Sequence, residues 1–245
     1  MRRLPTPRKV AEKALGKTRF IRAWLTLLAA IRTGRTTELW IGDSHAMTFN
    51  QRVDNAMFMR APEGQLIVRA GARLMYSLAR TGFPPRIMRV VRVVNRYARP
   101  GTFVPFFVAG EIDVRAHLVK HSPLDLSFVD PYVEHCMAVA ADLKADRVYL
   151  VMPPPPCDIP REEAYYPIVG TIQERVEAWQ ALRDALTAAA ARHPIARVLD
   201  FSPVLADATG AIPRELTVEG CHTNVVAVRR VRALLAEQLR MAEGA

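Results

Sequence analysis

The chain has 245 residues, half of them hydrophobic, with a formal net charge of +10 and three cysteines. That length suits one sizeable α/β domain with a short appendage, or at most two small domains, and an odd cysteine count without a CxxC pair argues against a disulfide framework or a structural zinc site. The charge is uneven: residues 1–36 hold ten Lys or Arg against one acid, whereas residues 100–245 hold fourteen against nineteen, so a domain-wide nucleic-acid footprint is not expected.

Residues 1–36 read as a basic amphipathic extension. Arg2, Arg3, Arg8, Lys9, Lys13, Lys17, Arg19 and Arg22 precede an apolar stripe at Ile21, Trp24, Leu25, Leu28 and Ile31, the spacing of one helix face. Three readings compete: a helix packed on the main domain or a partner, a peripheral membrane helix, and a secretory signal. No segment reaches the ~20 apolar residues of a spanning helix, so a cytoplasmic protein, or one peripheral to a membrane, is expected.

Leu39, Trp40 and Ile41 form a short apolar run that stops at Gly42-Asp43-Ser44-His45. Such a run fits a buried parallel strand, and in open α/β sheets ligands bind beyond the carboxyl ends of the strands. Ser44 stands at that place. Residues 51–63 show no clear period. Leu66-Ile67-Val68 is the second strand, ending at Arg69-Ala70-Gly71, and a helical pattern follows at Leu74, Met75 and Leu78. Pro84-Pro85 opens a helix with Arg86, Arg89, Arg92, Arg96 and Arg99 on one stripe and Ile87, Val90, Val91 and Val94 on another. A solvated face is the plain reading of the arginines; an anionic partner is the other.

Residues 102–109 give the third strand, feeding Gly110-Glu111-Ile112-Asp113-Val114-Arg115. A helix is expected over 131–143. The fourth strand, 147–152, is stopped by Pro153–Pro156. A long helix over 171–192, a fifth strand over 196–201, the Gly220–His222 turn and a last helix over 225–239 complete the chain. Strands alternating with helices imply βαβ units, a five-stranded parallel sheet and one rim shared by the strand ends.

A serine hydroxyl attacks only with a base in reach and that base oriented by a third group. His222 is the candidate base, its unperturbed pKa of ~6.5 lying near working pH. Glu219, on the same turn, could hold the other ring nitrogen, and the N–H groups of Ser44 and Gly71 are the economical donors for an oxyanion. These residues resemble the SGNH/GDSL hydrolase family. Gly42-Asp43-Ser44 is similar to its first block, and Glu219-Gly220-Cys221-His222 to its last, usually Asp-x-x-His. Gly71 matches the second-block glycine, and Gly110-Glu111-Ile112-Asp113 falls at the third block, Gly-x-Asn-Asp.

The resemblance implies a three-layer α/β/α flavodoxin-like sandwich over residues 37–245 and serine-dependent ester hydrolysis or acyl transfer. It implies catalytic Ser44, His222 and Glu219, oxyanion donors at Ser44 and Gly71, and no cofactor or metal. Ile112 replaces the oxyanion-hole asparagine and cannot donate. The Ser44-His45 and Gly-Glu-Ile-Asp-x-Arg forms resemble a bacterial subgroup found among surface-polysaccharide proteins, which implies a small-molecule or carbohydrate ester substrate. His45, Asp113 and Arg115 are the expected substrate contacts, with an Asp113–Arg115 ion pair as the structural alternative. A non-catalytic binding protein of the same fold is the competing function. His45, His117, His121 and His135 match no metal site by spacing. Cys157 and Tyr165-Tyr166 are placed near the pocket by the proline loop.

Overall fold

The computed structural model describes residues 7–50, 56–121, 123–159, 167–218 and 220–243. Helix α1 (Pro7–Thr33) leads into β1 (Thr37–Gly42) and a one-turn helix α2 (Ser44–Thr48). Then come β2 (Phe58–Arg60), β3 (Leu66–Arg69), α3 (Met75–Thr81), α4 (Pro85–Tyr97) and β4 (Phe103–Val108). A π-helical turn (Asp113–His117), α5 (Val129–Asp142), β5 (Val148–Val151), α6 (Ile172–Ala190), β6 (Ala196–Leu199) and α7 (Ser202–Leu205) follow. The hairpin β7 (Thr217–Val218) and β8 (His222–Thr223) precedes α8 (Val225–Glu243).

The main sheet has six strands in the order β2-β3-β1-β4-β5-β6, one more than expected. The extra strand, β2, is three residues long and antiparallel to β3 at the sheet edge, too short to show a period in the sequence. The other five are parallel. One face is covered by α1, α3, α4, α5 and α6, the other by α2, α7 and α8, giving the three layers. All six residues of β4 are buried, as a strand covered on both faces requires.

On the α8 side an aromatic ladder runs across register partners: Trp40 stacks on Phe106 at 4.6 Å and Phe106 on Tyr149 at 4.7 Å. The Trp40 indole N–H donates to Glu38, which also accepts from Arg232 of α8 at 3.1 Å. That link ties the helix following His222 back to the strand preceding Ser44.

Helix α1 packs on the sheet, as the first of the three sequence readings expects. Ala23, Leu27 and Ala30 enter the core, and Trp24 meets Phe58 of β2 edge-on at 5.3 Å. Among the described residues no helix is long and apolar enough to cross a membrane. On α4 Arg89, Arg92 and Arg96 face solvent, the Arg86 guanidinium donates to the Arg69 and Ala70 carbonyls at the exit of β3, and Ile87, Val90, Val91 and Val94 are buried.

Candidate active site

The strand register builds one rim. Gly42 pairs with Arg69 on β3 and with Val108 on β4, so Ser44, Gly71 and Gly110 each stand two residues beyond the same level. Val108 pairs with Val151 and Val151 with Leu199, which brings Pro153 and Phe201 to that level too. Neighbouring strands lie about 4.8 Å apart, so these exits crowd together.

At the exit of β1 the sequence divides two tasks between adjacent residues. Asp43, not Ser44, is the N-cap of α2: its Oδ1 accepts from the His45 N–H at 2.8 Å. Ser44 is left half-buried at the first helical position, where its own N–H has no intrahelical acceptor. The Ser44 hydroxyl meets His222, whose Nε2 lies 2.8 Å from Oγ across 178 residues of chain. His222 is placed by the β7–β8 hairpin. Gly220 holds a positive φ of +71° there, and an added Cβ would collide with Ile159. Nδ1 of His222 lies 3.5 Å from the Cys221 Sγ. Glu219, assigned to that nitrogen by sequence, lies outside the described residues, as do Tyr165 and Tyr166.

Beneath the pair is a buried charged group. His45 is 1 % exposed, with its Nε2 3.9 Å from Glu111 and its ring 5.3 Å from that of His222. Glu111 accepts from both Arg115 Nε and NH2, and Arg115 NH1 donates to the Pro167 carbonyl. Burial works against charge on His45 and Glu111, yet each stabilises the other. Asp43 and Glu111 raise the His45 pKa, and His45 with Arg115 holds Glu111 down at about 2. Burial, aided by the charge on His45, pushes His222 down to about 4. His222 is thus neutral, and able to accept a proton, throughout neutral and mildly acidic pH.

Three expectations are corrected. Asp113 was expected at the substrate; it is fully buried, and its two oxygens accept from the Met75 and Tyr76 N–H groups. It caps α3, whose own N-cap, Leu74, has no side chain able to do so. The structural alternative, an Asp113–Arg115 ion pair, is not formed: Arg115 pairs with Glu111. His45 is buried under the rim rather than presented to solvent. Arg115 does line the adjacent pocket, but with its guanidinium already engaged by Glu111 and Pro167. Replacing Asp113 with Ala leaves two first-turn N–H groups unpaired and should cost about 2–3 kcal/mol in urea unfolding, with Asn costing less. Burial also raises the Asp113 pKa to about 6. Its folded value exceeds its unfolded one, so this group favours folding more as pH falls through 6.

Glu111 and Arg175 are the residues that sequence reasoning passed over. The i, i+4 spacing of Glu111 and Arg115, acid first, is the signal that could have found the pair. A shallow cleft opens beside the site, lined by Glu111, Arg115, Pro154–Pro156, Cys157, Ile168, Arg175, Gly220 and Cys221. Cys157 lies where the proline loop predicts, and burial raises its thiol pKa, which disfavours a thiolate there.

No family model and no curated protein matches the chain. Solved structures do. A Streptococcus pneumoniae protein, provisionally described as a platelet activating factor, superposes with a TM-score of 0.55 at 15 % identity, covering 94 % of this chain and 98 % of its own. The aryl esterase of M. smegmatis, in its inhibitor-bound form, gives a TM-score of 0.50 at 16 % identity over 84 % of this chain and 99 % of its own. The fold is that of the SGNH hydrolases. At such identities the likeness is one of architecture. Within the SGNH fold, Ser44 and His222 lie at the rim where the parallel strands end. Ile112 is in helical conformation at the start of the π-helical turn.

Proposed function

We propose that the protein is a serine-dependent enzyme acting on ester bonds, by hydrolysis or by acyl transfer. The observation that carries this reading is the 2.8 Å contact between Ser44 Oγ and His222 Nε2. A hydroxyl and a neutral imidazole at that distance are arranged for nucleophilic attack with general-base help. Ser44 Oγ attacks the ester carbonyl while His222 takes its proton. His222 then returns that proton to the departing alkoxide, leaving an acyl-enzyme on Ser44. Water, or a sugar hydroxyl, gives its proton to His222 and attacks the acyl carbon, and Ser44 leaves with that proton. The N–H groups of Ser44 and Gly71 are the proposed oxyanion donors, and Glu219 the proposed orienting carboxylate. An acylated carbohydrate is the proposed substrate, with the cleft beside Cys221 as its seat. The three cysteines are free thiols, which suits a cytoplasmic setting.

The reading is tested by turnover of p-nitrophenyl acetate as a function of pH. Because the neutral form of His222 is the base, kcat/KM should hold level through neutral pH and fall on the acid side with a midpoint near 4. No turnover above background sinks the proposal; a midpoint at ~6.5 removes the account of the buried cluster. A second reading, a binding protein of the same fold, is favoured by Ile112, whose side chain has no donor to give an oxyanion. It predicts retention of an acylated carbohydrate with no acyl release.

A further inference from the structure

The two faces of α1 are differently built. Its inner face is finished, with Ala23, Leu27 and Ala30 in the core. On its outer face Ile21, Leu25 and Leu28 are 57 %, 60 % and 51 % exposed. Steps of four and three put them in one line along the helix. Lys17, four residues before Ile21, and Arg32, four after Leu28, continue the same line, and both face solvent. Arg22 and Arg35 flank it, and Arg99, in the loop after α4, approaches the Gly34 turn at its end. Between Glu12 and Glu38 the chain carries no acid.

We propose that this outer face, Ile21, Leu25 and Leu28 between Lys17 and Arg32, docks in the plane of an anionic lipid surface. A row of large apolar side chains ended by cations matches the boundary between acyl chains and headgroups. The aliphatic residues enter it, and the Lys and Arg stems reach back to the phosphates. Charge decides against a second copy as the occupant. Two such faces brought together would set an acid-free cationic segment against itself. The helical stretch from Lys17 to Arg32, about 22 Å long, gives a line of contact rather than a point.

The test is co-sedimentation of the whole protein with phosphatidylcholine vesicles, with and without phosphatidylglycerol. Binding is expected only when phosphatidylglycerol is present, and it should weaken as salt is added. The triple variant Ile21→Ser, Leu25→Ser, Leu28→Ser should bind about tenfold more weakly or worse, with far-UV circular dichroism and thermal midpoint unchanged. Equal sedimentation of variant and parent overturns the proposal, as does absence of the parent from the vesicle pellet. Dimerisation of the parent in sedimentation equilibrium, lost in the triple variant, would show that a second copy covers the face instead.

Discussion

Ser44→Ala should lower kcat/KM for a short-chain aryl ester by up to ~10⁶-fold, leaving only the residual acceleration that binding supplies, and His222→Ala should do the same. The two side chains act as one unit, because the hydroxyl is a poor nucleophile without the imidazole and the imidazole has no proton to take without the hydroxyl. The double variant should therefore be no slower than the slower single one. Multiplying losses would mean that the two residues assist by separate routes, and the contact at 2.8 Å would need another explanation. Neither substitution should unfold the protein. Ser44 is half-buried and does not cap α2, and His222 stands at a two-residue edge hairpin. Folding of each variant is checked by its urea midpoint.

Gly42→Ala should have the largest effect on stability. Gly42 does not have a positive φ, so conformational freedom is not what the position needs. It needs room. An added Cβ would fall inside the contact distance of the Val108 carbonyl oxygen and 2.9 Å from the Val108 Cβ on β4. Both are parts of a central strand whose residues are all buried, so neither can move aside cheaply. The same carbonyl accepts from the Asp43 N–H, which holds the turn carrying Ser44. A loss of about 3 kcal/mol or more in urea unfolding is expected, together with loss of activity if the protein still folds. A change under ~0.5 kcal/mol would mean that β1 and β4 do not approach this closely at the rim.

The parallel scaffold was legible because its signals are local. Short apolar runs, prolines after β5 and before α4, and the periodicity of α4, α6 and α8 each mark an element without help from elsewhere. The pairing of Ser44 with His222 was legible as a pattern, since each sits on a Gly-containing turn at a strand or helix boundary. Partner choice inside the site was not. Asp113 and Glu111 are both acids near Arg115, at two and four residues' separation. Only the helical path of the chain decides that Glu111 shares its face and that Asp113 turns towards α3. His45 shows no buried signature in sequence, because its environment is assembled by β4 and the β8 hairpin. Strand β2 was invisible because three residues carry no period.

The most direct measurement is the mass of the Ser44 peptide after treatment with a fluorophosphonate, in the parent protein and in His222→Ala. The account predicts covalent phosphonylation of Ser44 in the parent and a labelling rate at least ~10²-fold slower in the variant. An unlabelled Ser44 in the parent, or equal labelling in both proteins, would contradict it.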